Sequence, residues 1–265
     1  MTASTSSSPR VLRNRYALGF TSLLAGLLAW WLVARLAGLP AFVLPSPAAV
    51  LRRFVVSFLD GSLALHTAST LTEIVLGLIL GVGLATVIGY AVAKSRALER
   101  MLSPYLVASQ AIPLVAIAPL LVIWFGPGMF SKILICAMIV FFPVLVNTVV
   151  GVRAAPPALH DLMHSLHASG TQILWQLEIP AALPVFLGGL RIGATLSVIG
   201  AVVGELVGAD RGLGFLINVG RGQYDTALVF VAVFVLIGLA LSLYGVVAWL
   251  ESRTLGWQDW RQEQR

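Results

Sequence analysis

Uncharged, apolar runs cover residues 16–34, 74–93, 101–131, 133–152, 192–204 and 226–250. A helix needs about 20 such residues to cross the hydrocarbon core of a bilayer. Five of the runs meet that length, and the short one, 192–204, does so once Arg191 and Glu205 sit at its ends. The pattern therefore predicts spans near 17–37, 71–93, 105–125, 131–151, 186–206 and 227–249. No alternation of apolar and polar positions dominates, so a membrane barrel is excluded, and lipid leaves only helices. The predicted fold is all-α and polytopic, with six transmembrane helices in a membrane domain over 16–252.

Two spans carry small residues at every fourth position. Gly77, Gly81, Ala85 and Gly89 form one ladder; Gly189, Gly193, Ser197 and Ala201 form the other, with Glu205 next in register. Such faces let helix backbones approach closely. They serve packing within the chain, or they line a pathway or a dimer seam. Segment 101–131 is interrupted by Pro104, Pro113, Pro119 and Pro127. Proline removes a backbone donor and kinks a helix. The result is either ordinary kinked packing or a broken helix lining a cavity. Stretch 39–51, LPAFVLPSPAAVL, reads as an external extended turn leading into a short interfacial helix.

Composition agrees with a membrane chain. Of 265 residues, 58% are hydrophobic and 11% charged, where a soluble domain carries roughly 25% charged residues; the mean hydropathy is +0.94. The net charge of +6 sits in short loops and tails. Placing the N-terminus inside puts Arg10, Arg13, Arg15, Lys94, Arg96, Arg100, Arg153, Arg191, Arg253, Arg261 and Arg265 in the cytoplasm. Arg35, Arg52, Arg53, Lys132, Arg211 and Arg221 then lie outside. That asymmetry favours cytoplasmic termini and makes nucleic-acid binding an unneeded explanation of the charge. Residues 1–15 read as a disordered cytoplasmic N-terminus and 253–265 as a cytoplasmic tail; segment 16–34 reads as a span, not a cleaved signal. The lone cysteine, Cys136, reads as a buried, inert thiol.

The loop 153–184 falls on the cytoplasmic side and is unlike the rest. His160, His164 and His167 share a helical face beside Asp161. Zinc is one reading of that trio, but no fourth ligand is evident, and a solvated or protein-facing polar side fits better. Leu159, Leu162, Met163 and Leu166, then Ile173, Leu174 and Leu177, make an opposite apolar side. Gly170 is expected to break the first helix or relax its exit, and Pro180 to stop the second. The outcome is an amphipathic hairpin, its apolar side anchored at the membrane face and its polar side offered to a partner. No phosphate-binding G-x-x-x-x-G-K-[ST], H-E-x-x-H or G-x-S-x-G occurs, so no enzyme is expected.

This loop resembles the cytoplasmic "EAA" loop of ABC importer permeases, E-A-A-x3-G followed at a fixed distance by hydrophobic-Pro. Aligned on Ile179-Pro180, Asp161, Leu162 and Met163 take the E-A-A positions and His167 the glycine. LPSPAAVL (44–51), IPLVAIAPLLVIWFGPGMFSKI (112–133) and GADRGLGFLI (208–217) resemble the nitrate/sulfonate/taurine branch, which includes riboflavin and thiamine-precursor permeases. The resemblance implies a homodimeric type I permease pore. Asp161, His164, Ser165, Leu166, His167, Ala168, Ser169, Gly170, Ile179 and Pro180 would dock into a separate cytoplasmic ABC ATPase dimer. An extracellular or periplasmic solute-binding protein would deliver cargo. It implies no cofactor in this chain, ATP and Mg residing on the ATPase, and a bacterial plasma or inner membrane as its site.

Gln110, Pro113, Trp124, Asn147 and Glu205 are the candidate pathway residues. No basic residue lies between Arg100 and Lys132, which favours an uncharged heteroaromatic solute, riboflavin or a thiamine-precursor pyrimidine, over a sulfonate, taurine or nitrate-type anion. A stand-alone secondary transporter would need ionisable groups inside its spans, whereas Glu73 and Glu205 read as edge residues.

Overall fold

The computed structural model describes residues 9–36, 38–111 and 114–255. Helices account for all its regular structure, and among the described residues there is no strand. In chain order they are α1 (Pro9–Leu36), α2 (Pro47–Leu59), α3 (Ser62–Lys94), α4 (Arg96–Ala111), α5 (Leu114–Phe125) and α6 (Met129–Arg153). After these come α7 (Pro157–Ser165), α8 (Gly170–Ile173), α9 (Ile179–Gly208), α10 (Leu213–Gly222) and α11 (Thr226–Thr254). A wide π-turn, Leu174–Glu178, joins α8 to α9.

Four helical stretches are long and apolar enough to cross a membrane: Ser62–Lys94, Met129–Arg153, Gly170–Gly208 and Thr226–Thr254. They fall on the second, fourth, fifth and sixth expected spans. Two shorter apolar helices, Leu24–Leu36 and Val115–Phe125, fall on the first and third. Side chains such as Ile79, Val87, Ile123 and Leu241 stand exposed on the outside of the bundle, which is where lipid removes the penalty for apolar exposure.

Helix α6 is the centre of the fold, clasped by α3 on one side and α9 on the other. The two small-residue ladders make this possible. A Cβ on Gly81 would lie 2.7 Å from the Ala137 carbonyl oxygen, and one on Gly200, the neighbour of the second ladder's Ala201, would lie 2.9 Å from the Cys136 Cα. Gly189 and Gly193 likewise meet Asn147 and Val144. Both ladders therefore serve packing within the chain. Cys136 is fully buried in this seam, its thiol donating to the Ser197 carbonyl at 3.1 Å. A core of Ile74, Val198, Ala201, Leu213, Leu228 and Val231 joins α3, α9, α10 and α11.

Several boundaries differ from the sequence reading. Helix α1 starts at Pro9, inside the stretch read as disordered, since the first helical position tolerates proline without losing a bond. Helix α3 starts nine residues before the expected span, because His66, Thr70 and Glu73 are buried against protein. Pro104, Pro119 and Pro143 lie within helices. Pro180 does not stop the second helix: it sits at the first turn of α9, directly after the π-turn. A π-turn shifts the hydrogen-bond register by one residue, and a first-turn proline has no donor to lose. Helix α10 was not legible as a span; Leu213 and Leu216 hold it in the core.

Candidate functional site

The loop between α6 and α9 folds as a compact hairpin. Pro156, extended at ψ 132°, leads into α7 with Pro157 in its first turn. At the other end, His167 N–H donates to the His164 carbonyl at 2.9 Å and Ala168 N–H to the Met163 carbonyl at 3.0 Å. This pair of bonds is a Schellman cap, which requires a left-handed residue at its turn. That residue is His167, at φ 56°. The geometry explains a glycine at this position of the motif, and Met163 and Ala168 complete the cap by packing with Ala155, Ile173 and Leu177. Ser169 then starts α8. Its hydroxyl accepts from Gln172 N–H, and the Gln172 side chain accepts from Ser169 N–H at 2.7 Å, a capping box. Gly170 thus opens the second helix.

A left-handed non-glycine residue costs roughly 1–2 kcal/mol. His167→Gly is accordingly expected to raise the thermal midpoint by about 2–8 °C. A drop in the midpoint would mean that the imidazole holds the turn.

The two faces of α7 are arranged differently from the sequence expectation. Met163, Ile173 and Leu177 point inward as expected. Leu159, Leu162 and Leu166, however, are exposed, Leu166 at 68%. His160 turns inward, its Nε2 3.2 Å from Glu178 Oε1. The outer face of the hairpin is therefore mixed: the three leucines beside exposed Asp161, His164, Ser165 and His167. Among the described residues no group of His, Cys, Asp and Glu is placed to hold a metal.

Glu178 explains the inversion, and sequence reasoning did not single it out. It lies in the π-turn, buried, one residue before Ile179-Pro180. Its carboxylate accepts from Tyr90 Oη at 3.1 Å, pairs with Lys94, and meets His160. One buried carboxylate thus ties α7, α3 and the start of α9 together. Its only sequence signal is a charge set among Leu174, Leu177 and Ala181. Beside it, Tyr90, Thr148, Val152, Leu183 and Phe186 line a largely apolar cavity of about 460 Å³. Ile179 and Pro180 are half-buried behind the hairpin.

Among the described residues, the proposed pathway residues Trp124, Asn147 and Glu205 do not form one cluster. Trp124 is exposed on α5. Asn147 packs on Gly189 and donates to the Pro143 carbonyl at 2.8 Å. Pro113 and the Gln110 side chain lie outside the described residues. Glu205 and Glu73, read as edge residues of their spans, are fully buried, and Lys132, read as an external loop charge, is only 3% exposed. Lys132 Nζ donates to Glu73 Oε1 at 3.1 Å. Glu205 accepts from Thr70 Oγ1 at 2.6 Å and from Gly214 N–H at 2.5 Å. Leu213 N–H donates to Thr70 Oγ1, and Gly212 N–H to His66 Nδ1 at 3.0 Å. Gly212 is left-handed at φ 117°, and a Cβ there would collide with the Glu205 carboxylate. The network fastens the start of α10 to α3 and α9 at the end of the bundle opposite the hairpin. Arg53 and Asp225 clamp α2 to α11 at that same end, at 2.8 Å.

A family model described as "Binding-protein-dependent transport system inner membrane component" matches residues 74–256. The chain is 45% identical over 243 residues, 91% of each chain, to the riboflavin transport system permease protein RibX of Chloroflexus aurantiacus. It is 35% identical over 229 residues to the formylaminopyrimidine transport permease protein ThiX of Halalkalibacterium halodurans, covering 86% of this chain and 91% of the other. Among solved structures, an amino acid ABC transporter crystallised with histidines aligns at TM-score 0.58 and 17% identity. That alignment covers 75% of this chain and 96% of the other, a likeness of fold.

Proposed function

We propose, from the premise that this chain belongs to the inner-membrane components of binding-protein-dependent transport systems, that α7 is its coupling element and a riboflavin-like heteroaromatic its cargo. The chain is the permease component of an ABC importer, a membrane subunit and not an enzyme, and the ATPase is a separate chain. Two copies form the pore, both termini face the cytoplasm, and an external binding protein delivers the solute.

The observation that carries the coupling role is the pairing of exposed Leu159, Leu162 and Leu166 with the buried Glu178 anchor. Apolar side chains on a polar hairpin outside the spans suit burial in a protein groove. An anchor made by Tyr90, Lys94 and His160 lets a push on α7 move α3 and α9 together. The cargo reading rests on the named substrates of the two relatives and on the uncharged stretch between Arg100 and Lys132.

Vesicles holding the permease, its ATPase and its binding protein test the cargo. ATP-dependent accumulation of labelled riboflavin or a formylaminopyrimidine, with no accumulation of taurine, is the expected result. Taurine uptake without riboflavin uptake would overturn the cargo and leave the permease standing.

A further inference from the structure

At the hairpin end of the bundle, α3 ends on Lys94, one extended residue (Ser95, ψ 110°) reverses the chain, and α4 starts at Arg96. The C-terminus of α6 brings Arg153 to the same place. Between them lies a polar hollow of about 590 Å³ walled by Lys94, Arg96, Glu99, Arg100 and Arg153. Its charge is unbalanced. Arg153 grips Glu99 with two bonds, of 2.6 and 2.8 Å, and reaches the Val92 carbonyl at 3.3 Å. That grip, a charge-assisted hydrogen bond, holds the Glu99 carboxyl below its usual range, so Glu99 stays charged and committed to Arg153. Lys94 is committed to Glu178. Arg96 and Arg100, four residues apart on one face of α4, are exposed and make no ion pair among the described residues.

Next to the hollow, and sharing Glu99 as a wall, is an apolar groove of about 240 Å³ between α4 and α6. Leu106, Leu145, Val146, Val149 and Val150 line it. It follows α6 away from the basic end, along a helix long and apolar enough to cross a membrane. A cationic mouth on an apolar track matches an amphiphile with an anionic head and a hydrocarbon tail. A soluble anion has no use for the track. An acidic protein surface has no use for it either.

We propose that this hollow and groove bind one anionic phospholipid of the leaflet on the hairpin side, its phosphate between Arg96 and Arg100 and an acyl chain along Val146 and Val149. Basic recesses between membrane helices on that side of a bilayer attract such headgroups. The site lies beside Glu178's partner Lys94, so the lipid would buttress the base of the coupling hairpin. The proposal rests on the chain being a membrane permease and is independent of its cargo.

The test is native mass spectrometry of the purified permease–ATPase assembly. It is titrated with phosphatidylglycerol, with phosphatidylcholine, and with soluble glycerol 3-phosphate. Phosphatidylglycerol should bind in preference to the other two. Arg96→Gln with Arg100→Gln should weaken it about 30-fold, at about one surface charge's attraction per arginine. Val149→Trp, which fills the groove and leaves every charge in place, should weaken it as well. Unchanged phosphatidylglycerol binding in both variants overturns the site, and glycerol 3-phosphate binding as tightly as the lipid overturns the lipid as ligand. If the arginine variant sheds the ATPase but keeps the lipid, the arginines serve a protein contact and the proposal fails. Whether the ATPase copurifies with the wild-type chain is read in the same spectra, so failure of the coupling role is told apart from failure of the lipid site.

Discussion

Leu162→Glu with Leu166→Glu should strip the permease of its ATPase and bring solute uptake to background. Both side chains are more than half exposed, so the helix they stand on should fold unchanged. In a partner's groove they would be the apolar anchors of the contact. Removing such anchors costs about 2–4 kcal/mol each in measured interfaces, and two buried carboxylates add a desolvation penalty. The combined loss exceeds a hundredfold in affinity. Copurification of the ATPase and ATP-driven uptake are the two readouts, with the thermal midpoint as the folding control. If the ATPase remains bound, the exposed leucines are not the docking face. Asp161 and His164, exposed beside them, should matter less, since rim charges contribute little.

Lys132→Met should be as damaging for a different reason. Lys132 and Glu73 form an ion pair that is almost completely buried. Deleting one partner leaves a charge without compensation, at a cost of about 3–5 kcal/mol. Folded yield should collapse in the single variant. The double variant Lys132→Met, Glu73→Leu should recover most of it, because a buried pair replaced by apolar residues of similar size is often neutral. A single variant as stable as the parent would show that the pair does not hold the bundle.

The spans were legible because lipid leaves one solution for an uncharged run of sufficient length. The two ladders were legible for a related reason. Only small residues permit the approach seen between Gly81 and Ala137 or between Gly189 and Asn147. His167 was placed on a glycine position by motif alignment alone, and the left-handed backbone there supplies the physical reason. What stayed hidden was pairing at long range. Periodicity put Leu159, Leu162 and Leu166 inward and His160 outward. It could not register Glu178, 18 residues further on, which draws the histidine in and leaves the leucines out. Likewise, Glu73, Lys132 and Glu205 sit on three helices. Their charges are visible in the sequence, but their meeting is not, so they read as edge or loop residues. Pro180 read as a stop because an α-helical register was assumed through a stretch that widens to a π-turn.

The measurement that bears most directly on the account is uptake by proteoliposomes reconstituted with the permease alone or with its ATPase, ATP and binding protein. Solute should accumulate against its gradient only in the complete set. Accumulation by the permease alone, driven by a proton or sodium gradient, would contradict the claim that the chain transmits work done on its coupling hairpin.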